Sequence, residues 1–498
     1  MRATMNTAAV TLLLGAGAVL ALAPAGAQSI AARPEQLQYG PLRFEVPDAA
    51  KFRHELPGGI VAYIAPDRSL PLVSVVLHLR TGAFREPAEK PGLAAMTAKL
   101  MRVGGTAKRA PDEFDERADF LAAQVGSSSG NTSSRVSLNV LSTALDDGLD
   151  LLFEMLRTPQ FDEERLSVEK GKVLETMKQR NDDAGDIQAR EWSWLMHGRD
   201  HFTSREATAA ELESITRADL LDFHHRTYGP ERMVIAVSGD VDAPAIAANL
   251  RRRLQGFRAA ERLPWPPEGP EFMPEPGLYH VEKEIPQGKV SIGHRSLQVT
   301  DWFDPEIPAL EIMNDILGGG GFTSRLVKRV RSDEGLAYGA YSTFGLGNYW
   351  TGQFGMGYAS KNPTVAFAME ILLEELDKIR HDPVTADELA VAKSSAIDSF
   401  PRAFESAAQI AGTFANDDLI SRPHGYWTSY RGRIAAVTAP DVLAVAQKHL
   451  KPEALVTLVV GKWDEIAPGD PQGRAKMEQF AGGKVEHLPV RDPLTLEP

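Results

Sequence analysis

The chain has 498 residues, of which 43% are hydrophobic and 24% charged, enough for two or more domains with cores of their own. A formal charge of −13 argues against nucleic acid or an anionic membrane as the main partner, since both repel an acidic protein. The absence of cysteine excludes disulfides, thiolate metal sites and a lipid-modified N-terminal cysteine.

Arg2, the apolar run from Ala8 to Leu22 and the small residues Ala25-Gly26-Ala27 read as a cleavable signal peptide over residues 1–27. An uncleaved membrane anchor is the other reading. No later apolar run is long enough to span a bilayer, so the expected location is the periplasm. Leu70 to Leu77 predicts a strand and Leu93 to Met101 a helix. The stretch from Ser127 to Leu138 begins polar, with Ser128, Ser129 and Asn131, and ends alternating; it predicts an exposed edge strand or a plain surface hairpin. His197 and His201 stand four apart, but Gly198 weakens a helix there and no third metal ligand is evident. His224 and His225 are expected on a helix, facing solvent.

The chain reads as a duplication. Val73, Ser74, Met96 and Leu100 match Val290, Ser291, Met313 and Leu317 at one constant offset. Each half ends with a threonine placed to cap a helix (Thr216, Thr438), a Pro-Glu pair and an apolar strand. The expected organisation is one half over residues 40–260, a proline-rich linker over 261–278 with its prolines from Pro264 to Pro276, and a second half over 279–490. The element order predicts an α+β fold, each half a mostly antiparallel sheet with helices on one face.

In the second half, Gly318 to Gly321 lead into Phe322-Thr323-Ser324. The segment lacks the lysine of a phosphate loop and follows a helix, so a flexible connection is expected, with Thr323 or Ser324 capping the next helix. Next comes Arg331 and, seven residues later, Tyr338. Read alone, Arg331 caps helix carbonyls, Gly335 stops the helix and Tyr338 packs in a strand.

The stretch from Lys90 to Leu100 closely resembles the zinc-binding helix of the insulinase/pitrilysin/mitochondrial processing peptidase family, where the matching residues read G-L-A-H-x-x-E-H-M. Such an inverted motif sets two imidazoles on one helix face beside a general base. Here the histidine positions hold Ala95 and Lys99, and the base position holds Ala98. The family's third ligand, a glutamate on a later helix, falls on Thr176, while an acid upstream on that helix survives as Glu169. Methyl groups do not ligate zinc and an ammonium repels it. Lys99 is expected to pair with Glu169, or else with Glu175.

The resemblance implies two homologous halves shaped like a clamshell. It implies that Arg331 and Tyr338 match a family pair, reading R-x-x-x-G-L-x-Y, that grips a peptide carbonyl and donates to the oxyanion. It also implies that the Ser128–Ser129–Asn131 edge pairs with a peptide as an added strand. In two-chain members one subunit holds zinc and the other supplies the Arg-Tyr pair. This chain looks like the second kind. It is expected to hold no cofactor, to form a heterodimer with a zinc-bearing paralogous peptidase subunit and to act on peptide substrates. The alternative is a structural or peptide-binding scaffold without a role in proteolysis.

Overall fold

Strict alternation sets the first sheet. Strand β6 (Met233–Gly239) sends Met233, Ile235 and Val237 into one core and Val234 and Ala236 into another. A strand apolar on both faces must be covered on both faces, and the architecture follows from that requirement. The computed structural model describes Arg33 and residues 43–230, 233–260 and 265–498; the expected signal peptide and Pro264 lie outside them. Met1–Arg43 is a unit by itself, and the fold is that of the second unit, Phe44–Pro498.

The first sheet contains β1 (Arg53–Leu56), β2 (Ile60–Pro66), β3 (Leu72–Leu79), β4 (Gln124–Ser129), β5 (Ser134–Leu141) and β6 in the order β1-β2-β6-β3-β5-β4. The second contains β7 (Gly277–Glu282), β8 (Gln287–Arg295), β9 (Ala340–Phe344), β10 (Gln353–Lys361), β11 (Val456–Gly461) and β12 (Glu486–Leu488) in the order β12-β7-β11-β8-β10-β9. Five positions of the two orders correspond one to one. In each, the parallel pair (β2 with β6, β7 with β11) adjoins an antiparallel run. The duplication is therefore structural as well as sequential. The outermost strands break it: β1 is antiparallel to β2, whereas β12 is parallel to β7.

Both predicted threonine caps form. Thr216 accepts from the backbone N–H of Asp219, and Thr438 from that of Asp441, each within a reciprocal capping box. Such caps contribute about 1 kcal/mol each.

The helices of each half pack against their own sheet, as expected. The opposite face is covered by a helix of the other half. Ala407–Leu419 lies on β2 and β6, and Ala184–His197 lies on β8 and β11. Tyr63 of β2, fully buried, donates its hydroxyl to Asp418 at 3.0 Å and meets His424 at 2.7 Å. In the reverse direction Ile187 and Met196 share a core with Val456, Leu458 and Val460 of β11. The C-terminal tail returns to the first half, where Arg180 and Asn181 donate to the carbonyls of Pro493 and Arg491.

Candidate functional site

The helix Leu93–Val103 begins at Gly92, whose φ of 88° lies in the left-handed region and which has no side chain to cap with. Glu86 supplies the cap. Its carboxylate accepts from the backbone N–H groups of Gly92 at 3.1 Å and Ala94 at 2.7 Å. Burial pushes the Glu86 carboxyl up, against the pull of those two bonds and of Arg205.

Ala98 is fully buried, while Ala95 and Lys99 face outward. Lys99 Nζ lies 3.9 Å from Glu169 Oε2 on the facing helix Glu163–Lys178. The expected pair is present but loose. Lys172 holds the same carboxylate at 2.6 Å, and the Lys99 side chain is 52% exposed. Lys99 is thus not a buried stand-in for a cation; its long stem lets the ammonium reach water. Glu175 pairs with Lys178 at 2.7 Å, and the Thr176 hydroxyl donates to the carbonyl of Lys172. Zinc does not fit this donor set: the positions hold two methyl groups, an ammonium and a hydroxyl committed to its own helix, and the Glu169 carboxylate is already shared by two lysines. Among the described residues no group of three or more His, Asp or Glu is arranged to hold a metal ion.

In the second half the glycine-rich segment is not an irregular connector. Asp315–Gly319 forms a π turn closing the helix Glu306–Asn314, and Gly321–Thr323 a 3-10 turn. A Cβ on Gly318 would stand 2.4 Å from the backbone nitrogen of Ser342 on β9, which explains glycine there. Ser324 precedes the helical turn Arg325–Val327 but makes no forward cap; its hydroxyl donates back to the carbonyl of Gly321 at 2.7 Å. The turn therefore fixes Phe322 instead of starting a capped helix.

Three arginines follow. Arg325 makes a two-point contact with Glu388 at 2.7 and 3.0 Å, and this hydrogen bonding holds the Glu388 carboxyl down at about 2. Arg329 reaches Glu375 at 2.8 Å and Glu374 at 3.3 Å. The Arg331 side chain makes no hydrogen bond or ion pair among the described residues. Its guanidinium lies 4.6 Å from the centroid of the Tyr338 ring and 4.5 Å from that of Phe322. Tyr338 is 85% exposed and Phe322 71% exposed. The family-free reading of this segment fails for two residues: Arg331 caps no carbonyl, and Tyr338 is not packed in a strand. Gly335, with φ of 63°, does end the helical segment. Sequence reasoning missed Phe322; a lone aromatic at the tip of a glycine-rich turn was the available signal.

Strand β4 is the terminal strand of the first sheet and carries Ser128 and Ser129, whereas the alternating stretch Ser134 to Leu138 belongs to β5, which is paired on both sides, so the segment is a hairpin with only its first strand at the edge. Asn131 lies in the turn between β4 and β5, where its carbonyl accepts from Phe84 N–H at 3.1 Å, and it does not belong to the edge. The histidines form no metal site. His201 Nδ1 contacts Thr203 at 2.7 Å, and His197 Nε2 contacts the side-chain amide of Gln353 at 2.6 Å. His224 corrects the sequence reading: it is buried, bonds through Nε2 to the Leu156 carbonyl at 2.9 Å, and is pushed down to about 4 by burial. His225 is exposed as expected.

The duplicated α+β unit, with its two matching six-stranded sheets, is the two-half fold of a peptidase family and its relatives. Residues 63–191 match the family profile described as insulinase (peptidase family M16), and residues 214–396 match that of the peptidase M16 inactive domain. The chain belongs to this family.

Among its relatives is an uncharacterized zinc protease of Mycobacterium tuberculosis, 27% identical over 413 residues that span 82% of this chain and 92% of that protein. Among solved structures, a peptidase M16 inactive domain from Pseudomonas fluorescens superposes with a TM-score of 0.74 at 23% identity, over 82% of this chain and 98% of that one. The periplasmic protease PqqL from Escherichia coli gives 0.67 at 15% identity, over 82% of this chain and 46% of its own. At these identities the structures bear on fold alone.

Proposed function

We propose that this chain is the non-catalytic subunit of a periplasmic heterodimeric zinc metallopeptidase. A zinc-bearing paralogous subunit activates the water; this chain contributes Arg331 and Tyr338 to the substrate. The observation that carries the reading is the contrast between the two halves. The metal positions hold Ala95, Ala98, Lys99 and Thr176, while the half-buried Arg331 lies against the exposed ring of Tyr338 and its side chain makes no hydrogen bond or ion pair among the described residues. Water attack on a peptide carbonyl creates an oxyanion, and a phenol placed beside it donates a hydrogen bond that strengthens as the charge develops. A guanidinium nearby holds a second carbonyl and fixes the peptide for attack. Strand β4, terminal in its sheet, is the edge along which an extended peptide would add as a further strand.

The periplasmic location rests on the N-terminal apolar run and small-residue site. No helix among the described residues is long and apolar enough to cross a membrane. The test is co-purification of the tagged mature chain from its native cell, with zinc analysis and a peptide-cleavage assay of the complex. Recovery of a zinc-bearing paralogue and chelator-sensitive cleavage support the reading; a chain recovered without such a partner, in a complex that cleaves nothing, leaves it a scaffold.

A further inference from the structure

We infer that Phe322 is a positioning residue for Arg331. The ring clamps one side of the guanidinium while Tyr338 takes the other, so that Arg331 presents its in-plane N–H donors to a planar acceptor, a peptide carbonyl or carboxylate. The inference rests on the role proposed above for Arg331 and adds a residue that the Arg-Tyr pair does not include.

Three observations carry it. Both rings lie at cation–π distance from the guanidinium, 4.5 Å for Phe322 and 4.6 Å for Tyr338. Stacking occupies the faces of a guanidinium and leaves its edge for hydrogen bonding, and the Arg331 edge is unpartnered among the described residues. Phe322 is 71% exposed, so core packing does not account for the ring, yet its turn is built with care. Thr323 Oγ1 donates to the Gly320 carbonyl at 3.0 Å, Ser324 Oγ to the Gly321 carbonyl at 2.7 Å, and Gly320 N–H to the Asp315 carbonyl at 2.8 Å. The glycine-rich sequence thus serves the clamp: it lets the turn pass close to β9 and deliver one aromatic side chain to Arg331. An arginine restrained in advance loses less side-chain entropy when it grips its ligand.

Two measurements test this. In the full mature chain with isotope-labelled arginine side chains, the Arg331 Nε–H resonance, assigned through Arg331→Lys, should be displaced by the rings. It should return towards the ordinary arginine position in Phe322→Leu and stay displaced in Phe322→Tyr. In the reconstituted peptidase, cleaving a fluorogenic peptide, Phe322→Leu should raise KM by roughly two- to fivefold, the worth of one exposed cation–π contact, with kcat nearly unchanged and Phe322→Tyr restoring KM. A resonance unmoved by Phe322→Leu overturns the clamp whatever the activity shows. If Arg331→Ala impairs cleavage and Phe322→Leu does not, the clamp is wrong and the proposed function stands. If Arg331→Ala and Tyr338→Phe are both silent, the proposed function falls, and the positioning role falls with it even where the stack itself is seen.

Discussion

Arg331 holds its guanidinium 4.6 Å from the ring of Tyr338, a residue 85% exposed, while Arg325 and Arg329 on the same segment are tied to carboxylates. The difference separates structural arginines from one kept available. Arg325 and Arg329 fasten the glycine-rich segment to the helices Ala386–Ser399 and Val365–His381. The Arg331 side chain fastens nothing within the described residues, as its proposed role of holding a ligand from outside the chain requires.

The isolated chain should bind no stoichiometric zinc. The replacements Ala95→His, Lys99→His and Thr176→Glu together should create a site, because all three positions are exposed at the facing helices. Metal analysis after dialysis against zinc checks both halves of the statement. One tightly held zinc in the unmodified chain would contradict it.

Lys99→Met should change stability by less than about 1 kcal/mol, as for other exposed ion pairs, because the contact with Glu169 is long and Lys172 already holds that carboxylate. Glu169→Ala should cost more, since the carboxylate is buried between two helices. Urea denaturation of the two variants ranks them; the reverse order would show Lys99 to be the anchor of the vacated site.

Much of this was legible in the sequence, for identifiable reasons. The duplication showed as a constant offset because matched positions, such as Val73 and Val290, are core residues on equivalent strands. The threonine caps were legible because capping is a local rule. The exchange of helices between the halves was not. Ala184–His197 and Ala407–Leu419 carry ordinary amphipathic patterns, and nothing local says which sheet an apolar face will meet. His224 was misread because pairing with the Leu156 carbonyl depends on a segment far away in sequence. Arg331 and Tyr338 came from the family resemblance; alone, the segment pointed to caps and packing.

The exchanged helices predict that Phe44–Pro498 unfolds as one cooperative unit. Removing the segment from Ala407 onward would uncover Tyr63, Val234 and Ala236 on the first sheet. Calorimetry of the mature chain should show a single transition, and the first half expressed alone should be insoluble or associate with the second half on mixing. Two well-separated transitions would contradict the interlocking.

Acid should weaken the fold through buried neutral histidines. His224 is pushed down to about 4 by burial, whereas an unfolded histidine titrates near ~6.5. Its contribution is present above about pH 6.5 and lost as pH falls towards about 4, because the unfolded chain binds the proton first. The loss is bounded at roughly 3 kcal/mol for a shift of this size. His224→Phe should flatten the melting temperature against pH between about 6.5 and 4; an unchanged slope would assign the acid sensitivity elsewhere, His78 and His197 being next in line for the same reason.

The central claim is that this chain completes a partner's peptidase site, and Tyr338→Phe in the reconstituted pair tests it most directly. The substitution keeps the ring over Arg331 and removes only the hydroxyl, and an 85% exposed side chain gives no reason for folding or assembly to fail. Loss of an oxyanion donor lowers turnover by about a hundred- to a thousandfold in other enzymes, and a fall of that order in kcat, with assembly and zinc content intact, is the predicted result. Full turnover by the variant pair would contradict the claim and leave the chain a scaffold.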